Sequence, residues 1–68
     1  MNIVVNGEKR LVRESSSMID LLHILGLQDK QSIAVAINGE VLPKKDHLKY
    51  IIKEHDIIEI VHAIGGGL

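Results

Sequence analysis

The sequence predicts an α+β fold, with a mixed sheet of four to five strands and one main helix across one face. Its 68 residues provide enough chain for one domain. The residues are 46% apolar and Tyr50 is the only aromatic residue, so the core must consist of aliphatic side chains, which favours strands. Short β-branched runs lie on both sides of a segment with helical spacing, an order typical of a helix packed on one sheet.

The first element is predicted to be a β-hairpin. Residues 3–5 form a β-branched run, and Asn6-Gly7 supplies two residues that tolerate the positive φ angles of a tight type I′ turn. The chain returns through residues 9–13, where charged side chains flank an apolar centre. That pattern is typical of an edge strand.

The second element is predicted to be a helix over residues 18–25. Ser17 followed by Asp20 resembles a capping box, with aspartate in the acidic position. Gly26 supplies a C-terminal stop. Spacings of three and four place four apolar side chains on one face: Met18, Leu21, Leu22 and Leu25.

The second half of the chain is predicted to supply the remaining strands. Residues 33–37 form an apolar run typical of a strand covered on part of both faces, and Asn38-Gly39 is a second hairpin turn. The short return ends at Pro43, which limits further pairing. Residues 44–53 leave two alternatives open, a helical turn under the sheet or an irregular crossing.

Residues 57–64 form the last predicted strand, with Ile58, Ile60 and Ile64 on one face and Glu59, Val61 and Ala63 on the other. The long connection before it allows the first and last strands to pair in parallel at the centre of the sheet. That is the β-grasp, or ubiquitin-like, topology. We expect a β-grasp domain over residues 1–64 and a flexible glycine tail over residues 65–68.

The tail Gly65-Gly66-Gly67-Leu68 has three interpretations. A phosphate-binding loop needs a helix after the glycines, and none follows in this sequence. A frayed end without a function is the second interpretation. The third is that the terminal carboxylate is the reactive group, because glycines without a Cβ can thread a narrow tunnel.

Composition argues against several classes of function. The chain has no cysteine, which excludes thiolate metal sites and sulfur held on a cysteine side chain. The net charge of −1 and the single aromatic residue do not fit a nucleic-acid interface. No apolar run approaches the roughly 20 residues that span a bilayer, and no secretory signal is recognisable. We therefore expect a cytoplasmic protein without a nucleic-acid or membrane partner.

Other candidate sites have simpler explanations. The four histidines, at positions 23, 47, 55 and 62, lack the spacing of a metal motif. Ser17, His47 and Asp56 have the residue types of a catalytic triad. No nucleophile elbow is visible in the sequence, so this combination does not indicate an active site. A solvated face is the simpler explanation for the lysines at positions 44, 45, 49 and 53 than a partner-binding patch.

Three blocks of the sequence, in this order, resemble the ThiS family of thiamine-biosynthesis sulfur carriers. They are MNIVVNGE at residues 1–8, AVAINGEVLPK at residues 34–44, and DIIEIV followed by AIGG between residues 56 and 66. The resemblance covers nearly the whole chain.

The resemblance implies a β-grasp protein that is a protein substrate and not an enzyme. An ATP-dependent ThiF-type enzyme would adenylate the C-terminal glycine carboxylate. Sulfur would replace the adenylate, and the resulting thiocarboxylate would supply a ThiG-type thiazole synthase. Gly67 would then be the modified residue, with Gly65 and Gly66 threading into the partner's active site. The carrier itself would bind no cofactor and no metal, and ATP would be used by its partner.

This sequence departs from the family pattern in three places. Leu68 follows the glycines, and we consider three explanations: a cloning remnant, a residue removed by a protease, or an inactive relative. His55 stands where relatives often have glycine. His47 stands where relatives often have an aromatic residue, so we expect it to affect a contact with the partner.

Three other roles are alternatives. The first is a MoaD-like sulfur carrier in molybdopterin synthesis, the second is a ubiquitin-like modifier whose tail is joined to lysines, and the third is a binding module with an idle tail. For docking, we expect the sheet surface near the tail to be used, with Val61 and Leu42 exposed there.

Overall fold

The computed structural model describes residues 1–27 and 32–62. In this part of the chain, five strands form one sheet and one α-helix crosses its inner face. The strands are β1 (Asn2–Val5), β2 (Glu8–Leu11), β3 (Ile33–Ile37), β4 (Glu40–Leu42) and β5 (Ile57–His62). The helix α1 covers Met18–Ile24, and a short 3-10 helix covers Lys44–Asp46.

The sheet has the order β2-β1-β5-β3-β4, with β5 in the centre. β1 and β5 are parallel, whereas the other neighbouring strands are antiparallel. The predicted parallel pairing of the first and last strands is therefore confirmed, and with it the mixed sheet of the β-grasp topology. β2 lies at an edge, as the charges around its apolar residue predict.

Both predicted Asn-Gly turns are confirmed. Asn6 and Gly7 have φ angles of 51° and 83°, and Asn38 and Gly39 have φ angles of 52° and 89°. Positive φ at both central residues is what a type I′ hairpin turn requires.

The helix begins as predicted, at a capping box. The Ser17 hydroxyl accepts a hydrogen bond from the Asp20 backbone N–H at 3.1 Å, and the Asp20 carboxylate accepts one from the Ser17 N–H at 2.9 Å. The helix ends at Ile24, with Leu25 as its C-cap, one residue before the predicted end. Met18, Leu21 and Leu22 are buried against the sheet.

We call the sheet surface under the helix the inner face. Its fully or nearly buried side chains alternate along the strands with exposed ones, as period-2 strands require. Together with the helix and residues of the connections, they form one core: Ile3, Val5, Val12, Met18, Leu21, Leu22, Val35, Ile37, Ile52, Ile58 and Ile60.

Residues 43–56 cross from β4 to β5 by an irregular path, which decides between the two alternatives left open by the sequence. Only the 3-10 helix at the start is helical. Ile52 is buried, whereas Leu48 and Ile51 are exposed. The crossing is joined to the helix start, because Met18 N–H donates to the Tyr50 carbonyl at 2.9 Å and Ile52 N–H donates to the Ser16 carbonyl at 2.8 Å.

Candidate functional site

The candidate site is the end of β5 and the sheet surface around it. β5 is the central strand, and it carries the chain toward its C-terminal glycines. On one side it pairs with β3 over its last five residues, from Ile37↔Ile58 to Ile33↔His62. The predicted site residues Gly65, Gly66 and Gly67 lie outside the described residues, as does Leu68. Their predicted roles therefore remain predictions.

The start of β5 is fixed by a buried polar network around Asp56. Its carboxylate accepts hydrogen bonds from the Tyr50 hydroxyl at 2.6 Å, the Lys53 backbone N–H at 2.9 Å and the Asn38 side-chain amide at 3.0 Å. The amide oxygen of Asn38 accepts the Ile57 N–H at 2.9 Å. Asp56 thus joins the second hairpin turn, the crossing segment and the first residues of β5.

The same network changes the acidity of its two titratable groups. Burial disfavours the charged form of Asp56, but the hydrogen bonds from Tyr50, Lys53 and Asn38, with the Lys53 charge, outweigh it and lower the pKa of Asp56. Burial, the hydrogen bond to Asp56 and the Asp56 charge raise the pKa of Tyr50 to about 12. Asp56 is therefore held as a carboxylate, and Tyr50 as a neutral donor.

The sheet surface opposite the helix, here called the outer face, is largely apolar. Val61 is 66% exposed, Val41 is 78% exposed and Ile57 is 53% exposed. The register of the pairs places them on the same surface as the alanines of β3, since Val61 pairs with Ala34 and Val41 pairs with Ala36. The apolar members of the outer face are Val4, Leu11, Ala34, Ala36, Val41, Ile57 and Val61.

The polar members of the outer face are few. Glu59 pairs with Ala36 in the middle of the surface, and Lys9 and Asn2 lie toward the β2 edge. Strands of an antiparallel sheet with one solvated face usually alternate between apolar residues on the covered face and polar residues on the solvated face. A cluster of exposed apolar side chains of this kind is typical of an interaction site.

The predicted exposure is confirmed for Val61 and wrong for Leu42, and docking at this surface stays a prediction. Val61 lies on the outer face next to the end of β5, as expected. Leu42 was wrongly placed there: it pairs with Val35 on the inner face and packs against the core. Val41, its neighbour in β4, is the residue that is exposed on the outer face.

His47 was also wrongly expected to affect a contact with a partner. Its side chain is only 4% exposed, and a ring nitrogen lies 3.3 Å from the Leu42 carbonyl oxygen. The backbone carbonyl of His47 accepts the Ile19 N–H at 3.2 Å. His47 therefore joins the crossing segment to the helix and to β4.

The three residues that were considered as a catalytic triad have structural roles. Ser17 caps the helix, His47 lies against the Leu42 carbonyl, and Asp56 is the acceptor of the network described above. Within residues 1–27 and 32–62, no group of three or more His, Cys, Asp or Glu side chains is placed to hold a metal ion. None of the helices in this part of the chain has the length and apolar content needed to cross a membrane.

Two side chains near β5 escaped the sequence analysis. Asn6 and Asn38 were assigned only to hairpin turns, but the amide of each also bonds to β5. The signal for this second role is weak. Glycine satisfies positive φ at least as well as asparagine, so an asparagine at the first turn position leaves an amide that the turn itself does not need.

Comparison with known proteins decides the family. The family model described as "ThiS family" matches residues 2–67, nearly the whole chain. This chain belongs to the ThiS family. The match extends through Gly65, Gly66 and Gly67.

Solved structures of ThiS proteins share the fold. The crystal structure of the thiamine biosynthesis protein ThiS from Geobacter metallireducens has 33% sequence identity and a TM-score of 0.82. The alignment covers 98% of this chain and 100% of that one. An NMR structure of a thiamine biosynthesis protein from the same organism gives a TM-score of 0.80. The predicted β-grasp fold of ThiS is thereby confirmed.

Curated relatives include longer proteins. A thiazole synthase of Paramagnetospirillum magneticum is 39% identical over 67 residues, which are 98% of this chain and 20% of that protein. This ThiS-family chain spans about a fifth of the length of the two thiazole synthases it matches. A protein of similar length, the uncharacterized protein ycf40 of Porphyra purpurea, is 33% identical, with 93% of its length covered.

Proposed function

We propose that this chain, in a form that ends at Gly67, is a sulfur carrier whose Gly67 carboxylate is converted to a thiocarboxylate, which donates sulfur for thiazole formation in thiamine biosynthesis. The observation that carries the proposal is the ThiS-family match, which extends through the glycine tail. The solved relatives of this fold are described as thiamine biosynthesis proteins. The carrier is a protein substrate in this scheme and catalyses no step itself.

The chemistry takes place at the chain end because the chain has no cysteine to carry sulfur. A carboxylate is a poor electrophile. A ThiF-type enzyme activates it by forming an acyl adenylate from ATP with release of pyrophosphate, and a sulfur nucleophile then displaces AMP. The chain itself holds no cofactor in this scheme, and ATP is bound by the activating enzyme.

The outer face is the surface by which we expect partners to hold the carrier. Val61 directly follows the inward-facing Ile60 and comes one residue before the end of β5, so a partner bound to the outer face there would also be close to the residues that lead to the tail. The tail residues Gly65 and Gly66 would then thread into the partner's active site, where a side chain would obstruct the path.

A ThiG-type thiazole synthase is the proposed sulfur acceptor. The matched segment of the Paramagnetospirillum magneticum and Magnetococcus marinus relatives lies within much longer proteins named thiazole synthase. A carrier-like segment in the same polypeptide as a synthase supports a partnership between the two activities. We propose that both act in the cytoplasm.

The test is the intact mass of the chain after incubation with a ThiF-type enzyme, ATP and a sulfur donor. Two forms are compared, the full chain ending at Leu68 and a form ending at Gly67. Exchange of one carboxylate oxygen for sulfur raises the mass by the difference between the two atoms. We expect this gain only in the form that ends at Gly67.

A Gly66→Val variant of the Gly67-ended form is the matched control, because it keeps the folded domain and places a β-branched side chain in the threading segment. We expect it to gain no sulfur. Modification of intact Leu68 would overturn the assignment to Gly67, and no gain in either form would overturn the carrier role. Isopeptide adducts on lysines would instead support the modifier alternative.

A further inference from the structure

The two strands beside β5 support it unequally. β3 pairs with β5 as far as His62, but the ladder between β1 and β5 ends at Val5↔Ile58 because β1 turns away at Asn6. The last backbone hydrogen bond on that side runs from Asn6 N–H to the Ile58 carbonyl at 2.9 Å. The last four residues of β5, from Glu59 to His62, therefore extend beyond the ladder with the parallel neighbour.

The side chain of Asn6 continues the ladder for one more step. Its amide oxygen accepts the Ile60 N–H at 2.8 Å, and its amide nitrogen donates to the Ile60 carbonyl at 3.2 Å. The side-chain amide thus occupies the place of the next peptide group of a longer β1. Both backbone groups of Ile60 are satisfied on the side where no strand follows.

The second turn provides a natural comparison. Asn38 occupies the same position in the same type of turn, and its amide also bonds to β5. Its bonds reach Ile57 and Asp56 at the start of the strand, within the buried network. Asn6 bonds instead to Ile60, near the end of the strand from which the tail leaves.

We propose that Asn6 is a positioning residue for the reaction at the chain end. It acts through Ile60, by fixing the direction in which β5 leaves the sheet toward the glycines. This inference rests on the proposed function of the tail. Reactions between bound groups depend strongly on orientation, so a loosened exit lowers the fraction of docked carriers whose carboxylate reaches the activating site.

The test compares Asn6→Gly with Asn38→Gly in the form of the chain, full-length or ending at Gly67, that gains sulfur. Glycine keeps the positive φ of each turn and removes only the amide. Steady-state kinetics with the ThiF-type enzyme give kcat and KM for the carrier. Circular dichroism identifies a temperature at which all variants are folded.

Asn6→Gly removes both hydrogen bonds to Ile60, so we expect kcat to fall by about fivefold to tenfold, the lower end of the range for two lost hydrogen bonds. We expect KM to change less than about twofold because the outer face is intact. Asn38→Gly is expected to lower the melting temperature more, since it also removes a partner of Asp56, and to leave kcat within about twofold of wild type. Amide hydrogen exchange at Ile60 should accelerate selectively in Asn6→Gly, because this variant alone loses the bond to Ile60 N–H.

A rescue variant distinguishes a loss of positioning from a general loss of stability. Asn6→Asp keeps an oxygen that accepts the Ile60 N–H and loses the donor to the Ile60 carbonyl. Its kcat should lie between those of wild type and Asn6→Gly. A kcat for Asn6→Gly equal to wild type, despite faster exchange at Ile60, would overturn the inference and leave the carrier function standing.

Two further outcomes are informative. An equal loss of kcat in Asn6→Gly and Asn38→Gly, without intermediate rescue by Asn6→Asp, would show a general effect of stability and would also overturn the positioning role. Failure of the wild-type chain to gain sulfur in either form would overturn the proposed function, and the inference would fail with it.

Discussion

The two faces of the sheet have similar side chains and opposite surroundings. On the inner face, Ile58 is 0% exposed under the helix, whereas its neighbour Ile57 on the outer face is 53% exposed. Both faces carry Ile and Val at many strand positions, and within residues 1–27 and 32–62 only the inner face is covered. The difference shows that an apolar pattern tells which side chains favour burial, but not whether the chain itself supplies the cover.

The uncovered outer face has an energetic meaning. Full burial of a valine or isoleucine side chain is worth about 1.5–3 kcal/mol relative to exposure. The inner face gains this on folding. The exposed side chains of the outer face can gain part of this free energy on association with a partner. Substitutions on the inner face should therefore change stability, and substitutions on the outer face should change partner binding.

The largest expected effect is that of Ile58→Ala. Truncation of a fully buried isoleucine removes apolar contacts and leaves a cavity, so the free energy of unfolding should fall by about 2–5 kcal/mol. Ile57→Ala is the matched control in the same strand, with an expected change below about 1 kcal/mol. Urea unfolding followed by circular dichroism measures both, and equal losses would contradict the division into two faces.

Much of the inner face could be predicted from local patterns. The capping box at Ser17, helical spacing from Met18 and alternation in β5 each depend on neighbouring residues, and the structure bears them out. The error at Leu42 was avoidable. A two-residue turn at Asn38-Gly39 fixes the register Ile37↔Glu40, and counting outward pairs Leu42 with the inward-facing Val35.

The crossing segment could not be predicted in the same way. Residues 43–56 follow neither period, and their path is set by contacts with distant parts of the chain, such as Met18 with Tyr50 and Ile19 with His47. The second role of Asn6 also depends on a residue far along the chain, Ile60. Such roles need the sheet order as well as the local pattern.

The next largest effect on stability is expected at the buried polar network around Asp56. Asp56→Asn keeps the shape of the side chain but removes the charge and one acceptor oxygen. It leaves without an acceptor either the Asn38 amide, or the Tyr50 hydroxyl and the Lys53 N–H, which share one oxygen. The free energy of unfolding at neutral pH should fall by about 1–3 kcal/mol. A change below about 0.5 kcal/mol would show that the network adds little to stability.

The pH dependence of stability tests the same residue. Because folding lowers the pKa of Asp56, its contribution is present above the ordinary aspartate value of 3.8 and is lost as the pH falls through the lower folded pKa. The free energy of unfolding should therefore fall less steeply with decreasing pH in Asp56→Asn than in wild type. Some dependence should persist, since folding also lowers the pKa of Asp20 and Glu54.

A smaller effect is expected where the helix is fixed over the inner face. Ser17→Ala removes the hydroxyl that caps the Asp20 N–H, which should cost about 1 kcal/mol. Ser32→Ala, at an exposed position before β3, is the control and should change little. An unchanged melting temperature in Ser17→Ala would indicate that packing of Met18 and Leu21 holds the helix without the cap.

The smallest effect on stability, and the sharpest test of the outer face, is expected for Val61→Ser. Because Val61 is mostly exposed, the free energy of unfolding should change by less than about 0.5 kcal/mol. If the outer face binds the partner, the KM of the carrier in the ThiF-type reaction should rise severalfold. Ile24→Ser, at an exposed isoleucine on the helix side, is the matched control. An unchanged KM for Val61→Ser, or an equal rise for Ile24→Ser, would mean that the apolar outer face is not the docking surface.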